Sequence, residues 1–130
     1  MAETGCLAAI LDLCIEQGAG FIVNLLWRDK ATGTPIDITG YTARLKMVFD
    51  QGETTEELVL ELTTGNGRIT LGGTAGTIDL FVTATDTAAL DPTKFENTCY
   101  DLEMVPGAPD AEKVRRLIEG NVRLKTEKTT

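Results

Sequence analysis

The chain has 130 residues, 42% of them hydrophobic and 25% charged, a length and composition that suit one folded domain with a core of its own. Its 20 acidic and 12 basic residues give a net charge of −8, which argues against nucleic acid as a partner, because duplex binding depends on lysine and arginine. The odd set of cysteines, Cys6, Cys14 and Cys99, has no CxxC pair and so indicates neither a disulfide framework nor a zinc site.

The first half of the chain predicts four strands, because short runs of alternating apolar and polar residues are separated by turn residues such as glycine, proline and asparagine. These strands are expected at residues 9–16, 21–28, 41–49 and 57–63. In the fourth strand the alternation predicts three inward side chains, Leu58, Leu60 and Leu62.

The expected strand at residues 21–28 is apolar on both of its faces. One face carries Phe21, Val23, Leu25 and Trp27, whereas the other carries Ile22 and Leu26. This pattern is typical of a strand that is covered on both sides, and a neighbouring subunit is one candidate for the second cover.

The second half of the chain predicts further strands and a single helical turn. The strands are expected at residues 68–71, 77–83, 96–105 and 113–125. The helical turn is expected at residues 85–90, with Thr85 or Asp86 as its N-cap and a stop at Asp91-Pro92. In the last strand the apolar pattern changes phase, and Gly120 is the expected position of a β-bulge.

Every strong period in the sequence is two, which predicts an all-β fold: an antiparallel β-sandwich of about eight strands with one short helical turn. We expect a single domain over residues 1–130 that ends in a polar tail at residues 127–130. Residues 1–10 are expected either to lengthen the first strand or to form an arm that docks on a neighbour. The apolar stretch at residues 5–15 is short, follows no basic residue and is interrupted by Asp12, so we expect neither a signal peptide nor a membrane segment.

The sequence offers little catalytic chemistry. Histidine is absent, which removes the commonest general base and the commonest zinc ligand. Acidic residues such as Glu57, Glu61 and Asp101 fall at ordinary solvent-facing strand positions. The glycine-rich stretches at residues 65–67 and 72–76 lack the Gly-Lys-Ser/Thr of a phosphate loop. We therefore expect no catalytic residue, no metal ligand and no cofactor, and we do not expect an enzyme.

A docking surface is the remaining candidate for a functional site. Its expected residues are large apolar side chains, namely Leu7, Ile10, Ile22, Leu26 and Trp27. Trp27 has two interpretations, since it suits both a core anchor and an aromatic anchor of an interface.

Short motifs occur in a fixed order along residues 15–124. They include Ile15-Glu16-Gln17-Gly18-Ala19, Gly33-Thr34-Pro35-Ile36-Asp37-Ile38, Asn66-Gly67-Arg68-Ile69-Thr70-Leu71, Ala84-Thr85-Asp86-Thr87-Ala88-Ala89-Leu90 and Tyr100-Asp101-Leu102-Glu103. As a set they resemble the small β-sandwich proteins encoded among the structural genes of tailed phages and prophages, and they are similar to the amino-terminal domain of phage baseplate upper proteins. The resemblance implies a virion component with an immunoglobulin-like or jelly-roll sandwich, and it implies no active site.

Three functions are consistent with these observations. The first is a phage virion structural protein, assembled in the host cytoplasm, that docks by protein–protein contacts in the tail or baseplate. Its expected partners are other virion proteins and, in the assembled particle, further copies of itself; neither nucleic acid nor a membrane is expected. No receptor-binding region is expected after the domain, which keeps a capsid decoration protein on the phage head as the alternative. A carbohydrate-binding module is the third, although most of the few aromatic residues fall on inward faces.

Overall fold

A computed structural model describes residues 8–50 and 56–126 of the chain. Leu7 and the polar tail at residues 127–130 lie outside the described residues. The described strands are β1 (Ala9–Ile10), β2 (Leu13–Glu16), β3 (Phe21–Leu26), β4 (Thr42–Asp50), β5 (Glu56–Thr63), β6 (Ile69–Leu71), β7 (Thr77–Val82), β8 (Thr98–Val105) and β9 (Arg115–Lys125). A helix α1 (Ala84–Ala88) and two 3₁₀ turns (Gly73–Ala75 and Pro92–Phe95) complete the described elements.

The strands form two sheets that pack face to face, which confirms the predicted all-β sandwich. The large sheet has the order β1-β9-β8-β4-β5, with β2 also paired to β9, and the small sheet has the order β3-β7-β6. This is an immunoglobulin-like arrangement: β3, β7 and β6 take the places of strands B, E and D, while β4, β5, β8 and β9 take those of C, C′, F and G.

One pairing departs from the predicted antiparallel sandwich. β1 and β2 run parallel to β9, with Ala9 opposite Ile118 and Leu13 opposite Val122. The expected strand at residues 9–16 is therefore two short strands, which are separated by Leu11 and Asp12. Both pair with the last strand, which follows them by more than a hundred residues.

Gly120 explains the break between β1 and β2, and the prediction of a bulge at this glycine was wrong. A Cβ atom on Gly120 would lie 2.4 Å from the carbonyl oxygen of Leu11 and 2.9 Å from Oδ1 of Asp12. Because Gly120 has no side chain, the segment at Leu11 and Asp12 can pass directly over β9. The crossing is held by the Tyr100 hydroxyl, which donates to the Leu11 carbonyl at 2.5 Å, and by the Asn121 backbone N–H, which donates to Oδ1 of Asp12 at 2.9 Å.

The register shifts that bend the large sheet lie elsewhere. Between β8 and β9, Leu102 faces Ile118 and Glu103 faces Arg116, so Leu117 is the extra residue of a bulge. Between β4 and β5, Met47 faces Leu60 and Val48 faces Leu58, so Val59 is the extra residue.

The second bulge overturns one inward prediction. Because Val59 is inserted between them, Leu58 and Leu60 point to opposite faces of the sheet. Leu60 is buried, whereas 50% of the Leu58 surface is exposed on the outer face. The prediction of an inward Leu58 was therefore wrong.

The core lies between the sheets and is built from the alternating positions. On β8, the alternating residues Thr98, Tyr100, Leu102 and Met104 are buried. The largest fully buried hydrophobic side chains come from both sheets and the connections: Ile15, Ile38, Leu45, Met47, Leu62, Ile78, Leu80, Val82, Leu102 and Met104. These apolar contacts provide the main driving force for folding.

Helix α1 closes one end of the sandwich. Its N-cap is Thr83, whose hydroxyl accepts a hydrogen bond from the Asp86 N–H at 3.2 Å, so neither Thr85 nor Asp86 is the cap. The fully buried Thr87 hydroxyl donates to the Ala19 carbonyl at 2.8 Å and accepts from the Gly18 N–H at 3.0 Å. These bonds fix the turn between β2 and β3, and therefore the starting point of β3.

Candidate docking surface

The outer face of the small sheet carries a cluster of exposed apolar side chains. The alternation of β3 turns Phe21, Val23 and Leu25 toward the core and leaves Ile22 and Leu26 outside. Ile22 is 65% exposed and Leu26 is 49% exposed. We call this outer face, with Ile22, Asn24, Leu26, Thr70, Thr77, Asp79 and Phe81, the small-sheet face.

Phe81 joins these two residues and was missed by the sequence analysis. It lies on β7 directly opposite Ile22 and is 47% exposed. Directly opposed side chains on one face of an antiparallel pair have Cβ atoms about 5 Å apart, so Ile22 and Phe81 present one continuous apolar surface. The sequence did contain a signal, because Phe81 stands between Leu80 and Val82 in an alternating run, which places its aromatic ring on the opposite face from these two residues.

The small-sheet face carries little charge. Its central row is Asn24, Asp79 and Thr70, which lie opposite one another on the three strands. Arg68 borders the face, and its guanidinium donates to Asp86 at 2.9 Å and to the Glu61 carbonyl at 2.9 Å. Among the seven residues that define the face, Asp79 is the only one with an acidic or basic side chain.

The outer face of the large sheet has the opposite character. Arg44 on β4 pairs with Glu103 on β8 at 2.7 Å, and Arg116 on β9 lies 3.4 Å from Asp101 and 3.6 Å from Glu119. Burial raises the pKa of Asp101, while Arg116 lowers it and so opposes this effect. Ion pairs that are satisfied within the sheet and partly exposed to water add little stability, and they keep this face hydrated.

The other predicted interface residues lie apart from the small-sheet face. Ile10 is 72% exposed on β1, opposite Glu119 at the edge of the large sheet. Trp27, which directly follows β3, is half-buried, and its ring meets Tyr41 edge-to-face at 6.2 Å and Arg115 at 5.8 Å. The structure therefore brings Ile22 and Leu26 together, and it does not bring Ile10 or Trp27 to them.

A groove lies beside Trp27, between the end of β3 and β9. It has a volume of about 950 Å³ and is lined by Leu26, Trp27, Arg115, Leu117 and Ala9 among others. Within its lining, the Arg115 guanidinium lies over the Trp27 indole in a cation–π contact.

Over residues 8–50 and 56–126, no three histidine, cysteine, aspartate or glutamate side chains lie close enough together to hold a metal ion. Cys14 and Cys99 are free thiols on the surface. Burial raises the pKa of Cys99, and the neighbouring carboxylates act in the same direction. No helix within these residues is long and apolar enough to cross a membrane.

No protein-family model and no curated protein matches the chain. Solved structures of similar architecture do match. One of them comes from work on parallel homodimers of the extracellular domains of the voltage-gated sodium channel beta4 subunit, which are described there as explaining that protein's role in cell–cell adhesion. The similarity covers 97% of this chain and 99% of that chain, with 9% sequence identity and a TM-score of 0.43. The strand pairing of the present chain by itself defines the sandwich.

Proposed function

We propose that this protein is a non-enzymatic structural domain of a tailed-phage virion, and that it docks in the tail or baseplate through its small-sheet face. The observation that carries the docking role is the exposed cross-strand pair of Ile22 and Phe81, extended by Leu26. The virion setting comes from the sequence resemblance to the amino-terminal domain of phage baseplate upper proteins.

The size of the apolar cluster suits a protein–protein contact. Complete burial of one large apolar side chain contributes about 1.5–3 kcal/mol, and roughly half of each of these three side chains is still in contact with water. Covering all three would contribute about 4 kcal/mol before the entropy cost of association. This is the contribution expected from the centre of a modest interface, with hydrogen bonds at its rim supplying specificity.

The mixture of apolar side chains on the small-sheet face favours a protein partner over a sugar. Carbohydrate-binding surfaces need exposed aromatic rings, whereas the small-sheet face combines one aromatic ring with two aliphatic side chains. Aliphatic side chains gain more from burial against another apolar surface than from contact with a hydroxylated ligand.

Purified virions of the phage that encodes the chain test the proposal directly. We expect the protein in the particle by mass spectrometry, and density for the sandwich in the tail or baseplate by cryo-electron microscopy. Its absence from virions would refute the structural role, and density on the head would replace the tail assignment by capsid decoration.

Matched variants test the docking surface. In particles assembled without the native protein, a variant with both Ile22→Ser and Phe81→Ser should bind about 100-fold more weakly than wild type, because it loses about 3 kcal/mol of apolar burial. Leu58→Ser is the control, since Leu58 is also about half exposed but lies on the outer face of the large sheet. Equal binding by the double variant and the control would show that docking uses another surface.

A further inference from the structure

The open edge of β3 lacks the features that normally protect an edge strand. All six residues of Phe21–Leu26 are uncharged, and none is proline. Two other edges of the described sheets are protected: β5 carries Glu56, Glu57 and Glu61, and β6 has only three residues. Long, uncharged edge strands are templates for pairing with another strand, which is why most proteins interrupt them with charge, proline or a bulge.

The backbone of β3 presents a regular set of hydrogen-bonding groups at this edge. The N–H of Trp27 donates toward the small sheet, to the Gly76 carbonyl at 2.9 Å. Because peptide groups of alternate residues in a strand point to opposite sides, Ile22, Asn24 and Leu26 direct their N–H and C=O groups away from β7. Within the described residues, β3 pairs with β7 and with no strand on that outer side.

We propose that a second copy of this chain occupies the edge, with the two β3 strands pairing antiparallel across a two-fold axis at Asn24. The two small sheets then form one continuous six-stranded sheet, and two small-sheet faces lie side by side. This inference builds on the proposed docking role, because the dimer doubles the apolar surface that a virion partner would meet.

The pleat and the side chains select this register. Each residue whose side chain points outward must lie opposite a residue of the other copy that also points outward. Two-fold axes through Val23, Asn24 or Leu25 meet this condition, whereas axes midway between two residues do not. An axis at Asn24 places Ile22 of one copy opposite Leu26 of the other, twice. An axis at Val23 would place Ile22 opposite Asn24, and an axis at Leu25 would place Ile22 opposite Arg28. Only the Asn24 axis pairs both exposed aliphatic side chains with apolar partners.

Charge also favours this surface for contact between identical copies. Each copy carries a net charge of −8, so most surfaces of two copies repel each other. Across the Asn24 axis, Arg28 faces Gly20 of the other copy, and no charged side chain of β3 faces another. The two Asp79 carboxylates are about three strand spacings apart, roughly 14 Å, a separation at which salt screens their repulsion.

Cross-linking tests the register. Directly opposed residues that exchange both hydrogen bonds have Cα atoms about 5.5 Å apart, a separation that a disulfide can span. With Cys6, Cys14 and Cys99 replaced by serine, Asn24→Cys should form a disulfide-linked dimer under mild oxidation. Thr70→Cys, on the protected edge strand of the same sheet, is the matched control. Equal cross-linking of both variants, or none at position 24, would overturn the proposal.

Sedimentation velocity over a range of concentrations tests the edge itself. Asn24→Pro removes an N–H that the isolated sandwich does not use, so the fold should persist while the dimer weakens about tenfold or more. Circular dichroism checks the fold, and Asn24→Ala, which keeps the backbone N–H, is the matched control that should leave the dimer intact. A wild-type protein that remains monomeric, or a dimer that survives Asn24→Pro, would overturn the inference.

Two further experiments distinguish the dimer from other contacts. Removal of residues 1–7 should leave the dimer intact, and a dimer lost only on that truncation would locate the contact in the amino-terminal arm and overturn the β3 pairing. A monomer that still binds virions through Ile22 and Phe81 would overturn the dimer alone and leave the docking role standing.

Discussion

Gly120→Ala tests the crossing of the first strand over the last. A Cβ atom at this position would lie 2.4 Å from the Leu11 carbonyl oxygen and 2.8 Å from the Leu11 carbonyl carbon. These are backbone atoms, so relief requires the segment between β1 and β2 to move away by roughly 1 Å, since ordinary carbon contacts lie at 3.5–4.0 Å. The movement pulls Leu11 away from the Tyr100 hydroxyl and Asp12 away from the Asn121 N–H.

The cost follows from those contacts. Two hydrogen bonds contribute about 1 kcal/mol each, and the residual crowding and loosened packing add a similar amount. We therefore expect Gly120→Ala to lower the free energy of unfolding by about 3 kcal/mol in urea titrations. Gly20→Ala is the matched control, because its new Cβ would meet its nearest atom, on the Phe81 ring, at an ordinary 3.7 Å. Tyr100→Phe should cost about 1 kcal/mol alone and less in the Gly120→Ala background, since both changes act on the same carbonyl. A Gly120→Ala protein as stable as the Gly20→Ala control would refute the crossing geometry.

Three other measurements probe the remainder of the sandwich. Gly76→Ala should destabilise by about 2 kcal/mol or more, because Gly76 has φ +69° and its Cβ would lie 2.8 Å from the Trp27 carbonyl oxygen; thermal unfolding that matches wild type would contradict this. Burial raises the pKa of the Tyr100 phenol to about 12, so in ultraviolet titration its ionisation should appear well above that of an unfolded tyrosine near 10. Because this pKa is higher in the folded than in the unfolded chain, the contribution of the protonated phenol to stability is complete below pH 10 and should be lost as the pH rises from 10 to 12. Ionisation of Tyr100 near pH 10 in the folded protein would refute its burial. Leu102→Ala should cost about 2–5 kcal/mol and Leu58→Ala less than about 1, a difference that chemical denaturation would resolve and that equal losses would contradict.

The sequence was sufficient where local alternation determines which way side chains point. The run from Thr98 to Met104 predicts one buried face, and that face is buried because β8 lies in the middle of the large sheet with neighbours on both sides. Leu58 fails under the same rule because an inserted Val59 reverses the alternation. The insertion is visible only against the partner strand β4, so no property of β5 alone reveals it.

Long-range pairing was beyond the sequence for a related reason. The short apolar runs of β1 and β2 are compatible with either sheet and either direction. Their parallel pairing with β9 is decided by packing and by a glycine more than a hundred residues away. Gly120 looked like a bulge because the apolar pattern changes phase nearby, but that change belongs to Leu117, the true extra residue.

Only some residues of the small-sheet face could be recognised from the sequence. The alternation of β3 separates Ile22 and Leu26 from the core-facing residues, and both are exposed because a two-layer sandwich buries only one face of β3. Phe81 needed the strand register, which places it beside Ile22. Trp27 and Ile10 are large and apolar as well, yet they lie on other surfaces of the sandwich. Residue type alone does not distinguish a side chain that packs at the margin of the core from one that belongs to an exposed cluster.

The parallel ladder between the first and last strands has a mechanical consequence. Tension applied between Ala8 and Thr126 would pull β2 and β9 in opposite directions along their own axes, because their paired residues run from Leu13 opposite Val122 to Glu16 opposite Lys125. The inter-strand hydrogen bonds would then be loaded in shear and would resist together, instead of opening one after another as in a hairpin pulled apart from its ends. A single-molecule stretching experiment should therefore record a high rupture force for this sandwich, and a low one for Gly120→Ala, in which the start of the ladder is displaced.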